Sequence, residues 1–232
     1  MQTVILAGGR GTRLSPITNM IPKPMVTVNN KPFLEYLLLM LKRNSLEKIL
    51  LCVGYLGDKI EAYFGDGNSL GMEIKYSYEK EPLGTAGALK LAENLLEEKF
   101  LVLYGDSYLD IDYSAFIDFF ENQKTTGSIV IYDNAMGDTD VKNNIAIKGG
   151  LITRYDKNKE DPSLKYVEAG ASIFRKELLA LIEKNRFVSL ENEVFPILIK
   201  NKELTGYKSK TRFCDIGTFQ RLDYFKSSRF KL

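Results

Sequence analysis

Short runs rich in Val, Ile and Leu alternate along this chain with stretches whose apolar residues recur at helical spacing, and that alternation limits the fold more than any other feature. "KILLCVGY" (48–55), "MEIKYSY" (72–78), "FLVLYGD" (100–106) and "GSIVIYD" (127–133) read as strands, as does Thr3–Leu6 at the start. Near-continuous apolar runs belong to strands covered on both faces, the situation of a mostly parallel sheet crossed by helices. The helices are "KPFLEYLLLMLKRN" (31–44), "GDKIEAYF" (57–64), "GTAGALKLAENLLEE" (84–98) and "YSAFIDFFENQ" (113–123). The first opens on Pro32, gathers Phe33, Leu34, Leu37, Leu38 and Leu41 on one face and closes with Lys42 and Arg43; Asp112 is the expected N-cap of the last.

The second half is less regular. "NIAIKGGLITRY" (144–155) predicts two short strands around Gly149-Gly150, and "YVEAGASIF" (166–174) another strand. "RKELLALIEKN" (175–185) and "LENEVFPILIKN" (190–201) read as helical, the latter broken near Pro196, followed by a strand "LTGYK" (204–208) and a closing helix after Gly217. The expected fold class is therefore α/β: a Rossmann-like, mostly parallel sheet flanked by helices with a small mixed α+β extension. We expect one domain over residues 1–232, with 1–132 as a nucleotide-binding half and 133–232 as a sugar-binding and closing half. The basic, aromatic tail "FKSSRFKL" (225–232) is expected to fray or to dock at an interface.

Composition narrows the chemistry. Lys and Arg number 32 against 30 Asp and Glu, so no net field recruits nucleic acid or an anionic membrane, and an anion must be caught locally. There is no histidine, which excludes His-based triads and His-liganded zinc and leaves an oxygen-ligated hard cation such as Mg²⁺ as the remaining metal. Cys52 and Cys214 suit buried thiols in a reducing cytosol better than a disulfide framework. Apolar runs are too short to cross a bilayer and Met1 leads directly into a strand pattern, so the cytoplasm is the expected location. The 13 Tyr and 13 Phe sit mostly at core spacing and are assigned to packing.

In open parallel sheets ligands sit beyond the carboxyl ends of strands, which places a site at the loop Ala7–Ile17. Gly8, Gly9 and Gly11 let the backbone bend and present N–H groups to phosphate oxygens; Arg13 offers a forked cation, and Lys23, between Pro22 and Pro24, a second charge on a restricted stem. The dinucleotide fingerprint fails because Leu14 stands where its third glycine belongs and no acid ends the next strand pattern, "MVTV" (25–28); a Walker loop fails for want of G-K-[ST]. Asp106, after Gly105 at the end of a strand, has the position of a Mg²⁺ ligand.

"LAGGRGTRL" followed by "PKPM" resembles the signature of the sugar-1-phosphate nucleotidyltransferases, the NDP-sugar pyrophosphorylases. "EPLGTAGAL" (81–89), "YGDSYLDID" (104–112), "VEAGASIF" (167–174) and "DIGT" (215–218) follow in the family's order, so the likeness covers nearly the whole chain. The resemblance implies that NTP and a sugar 1-phosphate give an NDP-sugar and pyrophosphate. It implies Arg13 and Lys23 as catalytic, Asp106 and Asp215 as metal ligands for Mg²⁺, and Leu6, Ala7, Gly8, Gly9, Gly11, Thr12, Glu79, Glu81, Pro82, Gly84 and Thr85 as the nucleotide-binding set. It implies Asn144, Lys157, Glu168 and Gly170 for the sugar phosphate.

A carboxylate from Glu79 or Glu81 could accept from guanine N1–H and N2–H₂, which favours GTP; "EPLGTAGAL" resembles the wording of mannose and manno-heptose 1-phosphate guanylyltransferases, which implies a sugar 1-phosphate of that type and a place in surface-polysaccharide synthesis. The chain departs from the family in having Asp156 before Lys157 where Glu is usual, and Asn143-Asn144 where Tyr-Gly is frequent. A uridylyl-, thymidylyl- or cytidylyltransferase acting on another phosphorylated acceptor stays open, as does a nucleotide-sensing module without turnover. The expected partners are the two small substrates, with neither nucleic acid nor membrane; a homodimer is open. At 232 residues the left-handed β-helix of longer family members is not expected.

Overall fold

The computed structural model describes residues 1–228. Residues 229–232, half of the tail expected to fray or dock, lie outside the described residues. Nine strands form one sheet: β1 (Gln2–Ala7), β2 (Lys48–Val53), β3 (Glu73–Tyr78), β4 (Lys99–Tyr104), β5 (Gly127–Tyr132), β6 (Ile145–Lys148), β7 (Leu151–Tyr155), β8 (Val167–Arg175) and β9 (Leu204–Ser209), in spatial order β3-β2-β1-β4-β8-β5-β9-β7-β6. The block β3-β2-β1-β4 is parallel throughout, and β9 is parallel to β5. Only β8 and β7 run against their neighbours.

The helix-flanked, mostly parallel sheet is thus present, and the two halves of the chain share it. Strand β8, from the second half, lies between β4 and β5 of the first. It is buried almost end to end, as a strand with neighbours on both sides and cover on both faces must be. Core side chains gather on the two faces: Phe33, Leu37, Phe116 and Phe225 on one, Phe100, Phe174, Phe195 and Leu204 on the other. No helix among the described residues is long and apolar enough to cross a membrane.

Helices α1 (Phe33–Arg43), α2 (Gly57–Phe64) and α4 (Tyr113–Glu121) fall where the periodicity puts them, and Asp112 caps α4 by accepting from the Ala115 N–H. Gly149 and Gly150 both take positive φ, the conformation that a tight hairpin between β6 and β7 requires. Four expectations need correction. The helix expected over 84–98 is α3 (Gly84–Leu91) followed by a 3₁₀ turn, because the Gln2 side chain bonds Leu95 O and Glu97 N and draws the chain back to the sheet. The helix expected over 175–185 is a 3₁₀ run, Lys176–Leu181; Arg175 and Lys176 N–H groups are still spent on Thr126 O and Glu98 O. "MVTV" gives only Thr27–Val28, paired with Lys31–Pro32 around Asn29 and Asn30 at positive φ, and the strand beside β1 is β2. Over 190–201 a wide π-type turn, Leu190–Val194, precedes α5 (Phe195–Lys200), in which Pro196 occupies an early position that needs no N–H partner.

The closing helix α6 (Phe219–Ser227) is anchored by Phe225, whose ring centroid lies 4.8 Å from that of Phe33, 5.6 Å from Tyr36 and 5.5 Å from Tyr108. Phe225 is 1% exposed. Phe225→Ala is expected to cost about 3–5 kcal/mol of unfolding free energy, measured as a lowered urea midpoint with an unchanged denaturant slope.

Candidate active site

The carboxyl ends of β1 and β4 open into a cleft of about 530 Å³. Of the residues singled out in the sequence, it is lined by Leu6 and Ala7 at the end of β1, Gly8, Gly9, Gly11, Thr12 and Arg13 from the loop that follows, Lys23 behind it, Glu79 and Pro82 from the β3–α3 connection, Gly84 and Thr85 at the start of α3, and Asp106. Two glycines lie in close approach to cleft side chains, and Gly11 also needs its positive φ. A Cβ on Gly8 would stand 2.3 Å from Glu79 Oε1, and Gly11, at φ +63°, would place one 2.8 Å from Lys23 Cβ.

Lys23 is 8% exposed, and its ammonium is ion-paired and hydrogen-bonded to Asp106 Oδ2. Burial opposes ionisation of Asp106, but the charge and hydrogen bond of Lys23, helped by the Ser107 hydroxyl and Arg13, outweigh it and hold this carboxyl below its usual range. Arg13 and Arg10 have no carboxylate partner among the described residues; Arg10 rests over the Tyr55 ring, 5.7 Å from its centroid. Glu79 likewise has no cation partner among the described residues. Burial raises its pKa against the opposing Leu83 N–H, which donates to Oε2 at 3.1 Å. Glu81 is exposed and lines neither cavity, because the turn secured by that hydrogen bond leaves it on the outer side. Of the two glutamates considered for the base, only Glu79 faces the cleft.

A second cavity, about 270 Å³, adjoins the first, and Tyr104 and Asp106 line both. It contains Lys157, Glu168, Gly170 and Asn144. Gly170, at φ +84°, sits in a bulge where the β8–β5 register shifts between Glu168 and Ser172, and a bulge of this kind re-aims the side chains beside it. Glu168 accepts hydrogen bonds from Tyr155 (2.5 Å) and Tyr104 (3.1 Å). Asn144, 3% exposed, braces the strand by accepting the Glu168 N–H.

Lys157 Nζ stands 3.8 Å from Glu168 and 3.9 Å from Glu191. Glu191 also accepts from Tyr104, Ser189 and Thr85. Burial raises the Glu168 pKa, Lys157 opposes it and Glu191 adds to it; for Glu191, Lys157 and the Tyr104 and Ser189 hydroxyls overcome burial and lower it. Sequence reasoning missed Glu191 and Tyr155. Glu191 belongs to a stretch read as plain helix, and only the π-type turn, capped by Ser189, swings it towards Tyr104.

Asp215 lies beside Asp106 in the backbone: it pairs with Ser107 across a short antiparallel ladder, and the Ile216 N–H donates to Asp106 O at 2.9 Å. Its carboxylate, however, lines neither cavity. Arg221 Nη1 holds both its oxygens, at 3.2 and 2.9 Å, and the Gly217 N–H donates to Oδ1 at 2.7 Å. The two aspartates are therefore brought together as neighbouring strands, each carboxylate engaged by its own cation.

A model of a family described as "Nucleotidyl transferase" matches residues 2–230. The mannose-1-phosphate guanylyltransferase of Mycobacterium tuberculosis is 31% identical over 94% of this chain and 61% of its own length. The D-glycero-alpha-D-manno-heptose 1-phosphate guanylyltransferase of Campylobacter jejuni is 48% identical over 49% of this chain and 51% of its own. A UTP–glucose-1-phosphate uridylyltransferase of Synechocystis is 29% identical over 99% of this chain and 63% of its own. The chain thus spans between about half and two thirds of the length of these relatives. Among solved structures, HddC from Yersinia pseudotuberculosis complexed with GMP-PN superimposes with a TM-score of 0.79 at 28% identity, covering 96% of both chains. With the family model matched over nearly its whole length, the chain belongs to the nucleotidyl transferase family.

Proposed function

We propose that this chain transfers a nucleotidyl group from an NTP, GTP by preference, to a sugar 1-phosphate of the mannose or manno-heptose type, releasing pyrophosphate and supplying an NDP-sugar for surface-polysaccharide synthesis in the cytoplasm. The observation that carries the reading is the meeting of two cavities at Tyr104 and Asp106. A donor triphosphate on the glycine turn and an acceptor phosphate beside Lys157 would face each other there. A phosphate monoester has a second pKa of ~6, so the acceptor arrives largely as a dianion. Its oxygen forms the new bond to the α-phosphorus as the α–β P–O bond breaks and pyrophosphate leaves. No general base is needed, which suits a chain without histidine.

The protein's part in this reaction is positioning and charge compensation. Arg13 and Lys23 neutralise the leaving pyrophosphate and the transferred phosphate, Lys157 meets the acceptor phosphate, and Glu168 and Gly170 hold sugar hydroxyls. Asp106 and Asp215, on paired strands, are the residues that would hold Mg²⁺, which takes one or two carboxylates and completes its shell with phosphate oxygens and water, in exchange for the contacts that Lys23 and Arg221 make with them; among the described residues no three acidic, Cys or His side chains are grouped as metal ligands. Bound there, Mg²⁺ would supply further charge compensation. Glu79, which faces the cleft with no cation partner among the described residues, favours guanine, whose N1–H and N2–H₂ are donors. The guanylyltransferase names of two relatives and the GMP-PN complex of HddC support the same base.

Pyrophosphate release across five NTPs and a panel of sugar 1-phosphates tests the reading: GTP with mannose or manno-heptose 1-phosphate is expected to lead, and GTP as the poorest donor would refute the role of Glu79. Because burial raises the Glu79 pKa, kcat/KM for GTP is expected to fall on acidification at a higher pH than an exposed glutamate would impose; Glu79→Gln should be weaker at neutral pH and lack that acid limb. Asp106→Asn is expected to abolish turnover and to cost about 1–3 kcal/mol, because it strands the buried Lys23 ammonium. The Asp106 pKa is depressed in the folded protein, so this difference is fully present above the unfolded-state value and closes as pH falls through the folded one. Chemical denaturation at several pH values would measure it.

A further inference from the structure

The nucleotide cleft has one aromatic wall that comes from the other half of the chain. Phe187 is 60% exposed, an unusual state for a phenylalanine in a protein whose phenylalanines are otherwise mostly buried, and it lines the principal cleft. Its backbone is fixed there. The neighbouring Val188 donates its N–H to Leu83 O at 2.8 Å, and Val188 O accepts the N–H groups of Ala86 and Gly87 at 2.9 and 3.2 Å. Gly84 takes φ +74°, and a Cβ on it would meet Val188 O at 2.6 Å and Phe187 Cζ at 3.2 Å. The segment therefore docks on the start of α3 at a spot that only glycine vacates.

Leu83 connects this wall to the base-reading carboxylate. Its N–H donates to Glu79 Oε2, and its C=O accepts from Val188. One residue thus sets the positions of both the acceptor in the cleft and the aromatic ring beside it. An exposed ring costs hydration of apolar surface unless something flat covers it. The geometry points to Phe187 as a nucleoside-contacting residue, its ring packing against the base of the bound nucleotide while Glu79 reads the base's edge. This rests on the reading that the cleft takes an NTP, but not on the choice of base, because every base offers a π face to an aromatic side chain.

The test measures binding of an α,β-methylene NTP by calorimetry, and KM for donor and acceptor separately, for the wild type, Phe187→Ala, Phe187→Leu and Phe187→Tyr. The ring is exposed, so all four are expected to melt alike. Phe187→Ala should weaken analogue binding and raise the donor KM about tenfold or more, the scale of a lost base–aromatic stack, with the acceptor KM unchanged. Phe187→Tyr should remain close to the wild type and Phe187→Leu fall between. Unchanged donor binding in Phe187→Ala, or a rise confined to the acceptor KM, would overturn the assignment. Failure of the wild type to bind any NTP would instead refute the nucleotidyl-transfer reading beneath it.

Discussion

The buried ammonium of Lys23 against the Asp106 carboxylate is the contact on which the site depends. A charge this enclosed needs a partner, and the partner stands at the end of β4, where the two cavities meet. The stem of Lys23 in turn fills the space that a side chain at Gly11 would occupy, so the pair also fixes the shape of the loop that follows β1. Arg13 and Arg10 have no such partner among the described residues. The same economy governs Asp215, whose carboxylate Arg221 holds.

How much of this was legible in the sequence differs by element. The parallel block β3-β2-β1-β4 was, because strands buried on both faces must be apolar along their whole length and the helices between them carry a clean apolar stripe. That the glycine turn, Lys23 and Asp106 meet in one cleft was legible because backbone freedom and cations gathered at strand ends are rare together in a sequence. Glu191 was not. Its neighbours have helical spacing, and only a local widening of the turn aims it inward. Arg221 was not either, since nothing in a lone arginine on a polar helix announces that it will hold an aspartate six positions earlier.

Phe187 shows a further limit. Phenylalanines at core spacing were assigned to packing, and for most of them burial agrees. What distinguishes Phe187 is where its backbone is tied, a long-range pairing of Val188 with Leu83 that local pattern cannot express. The two halves of the chain interlock at the same point, since the larger cleft takes a wall from residue 187 and Thr85 bonds Glu191 beside the smaller cavity.

Placing β8 in the middle of the sheet has a consequence for how the chain emerges from the ribosome. Until residue 175 has been synthesised, β4 presents an open hydrogen-bonding edge and β5 has no bridge to the parallel block. Such an unpaired edge is a template for adventitious strand addition. The nascent protein therefore carries an adhesive edge from the time β4 is made until β8 covers it.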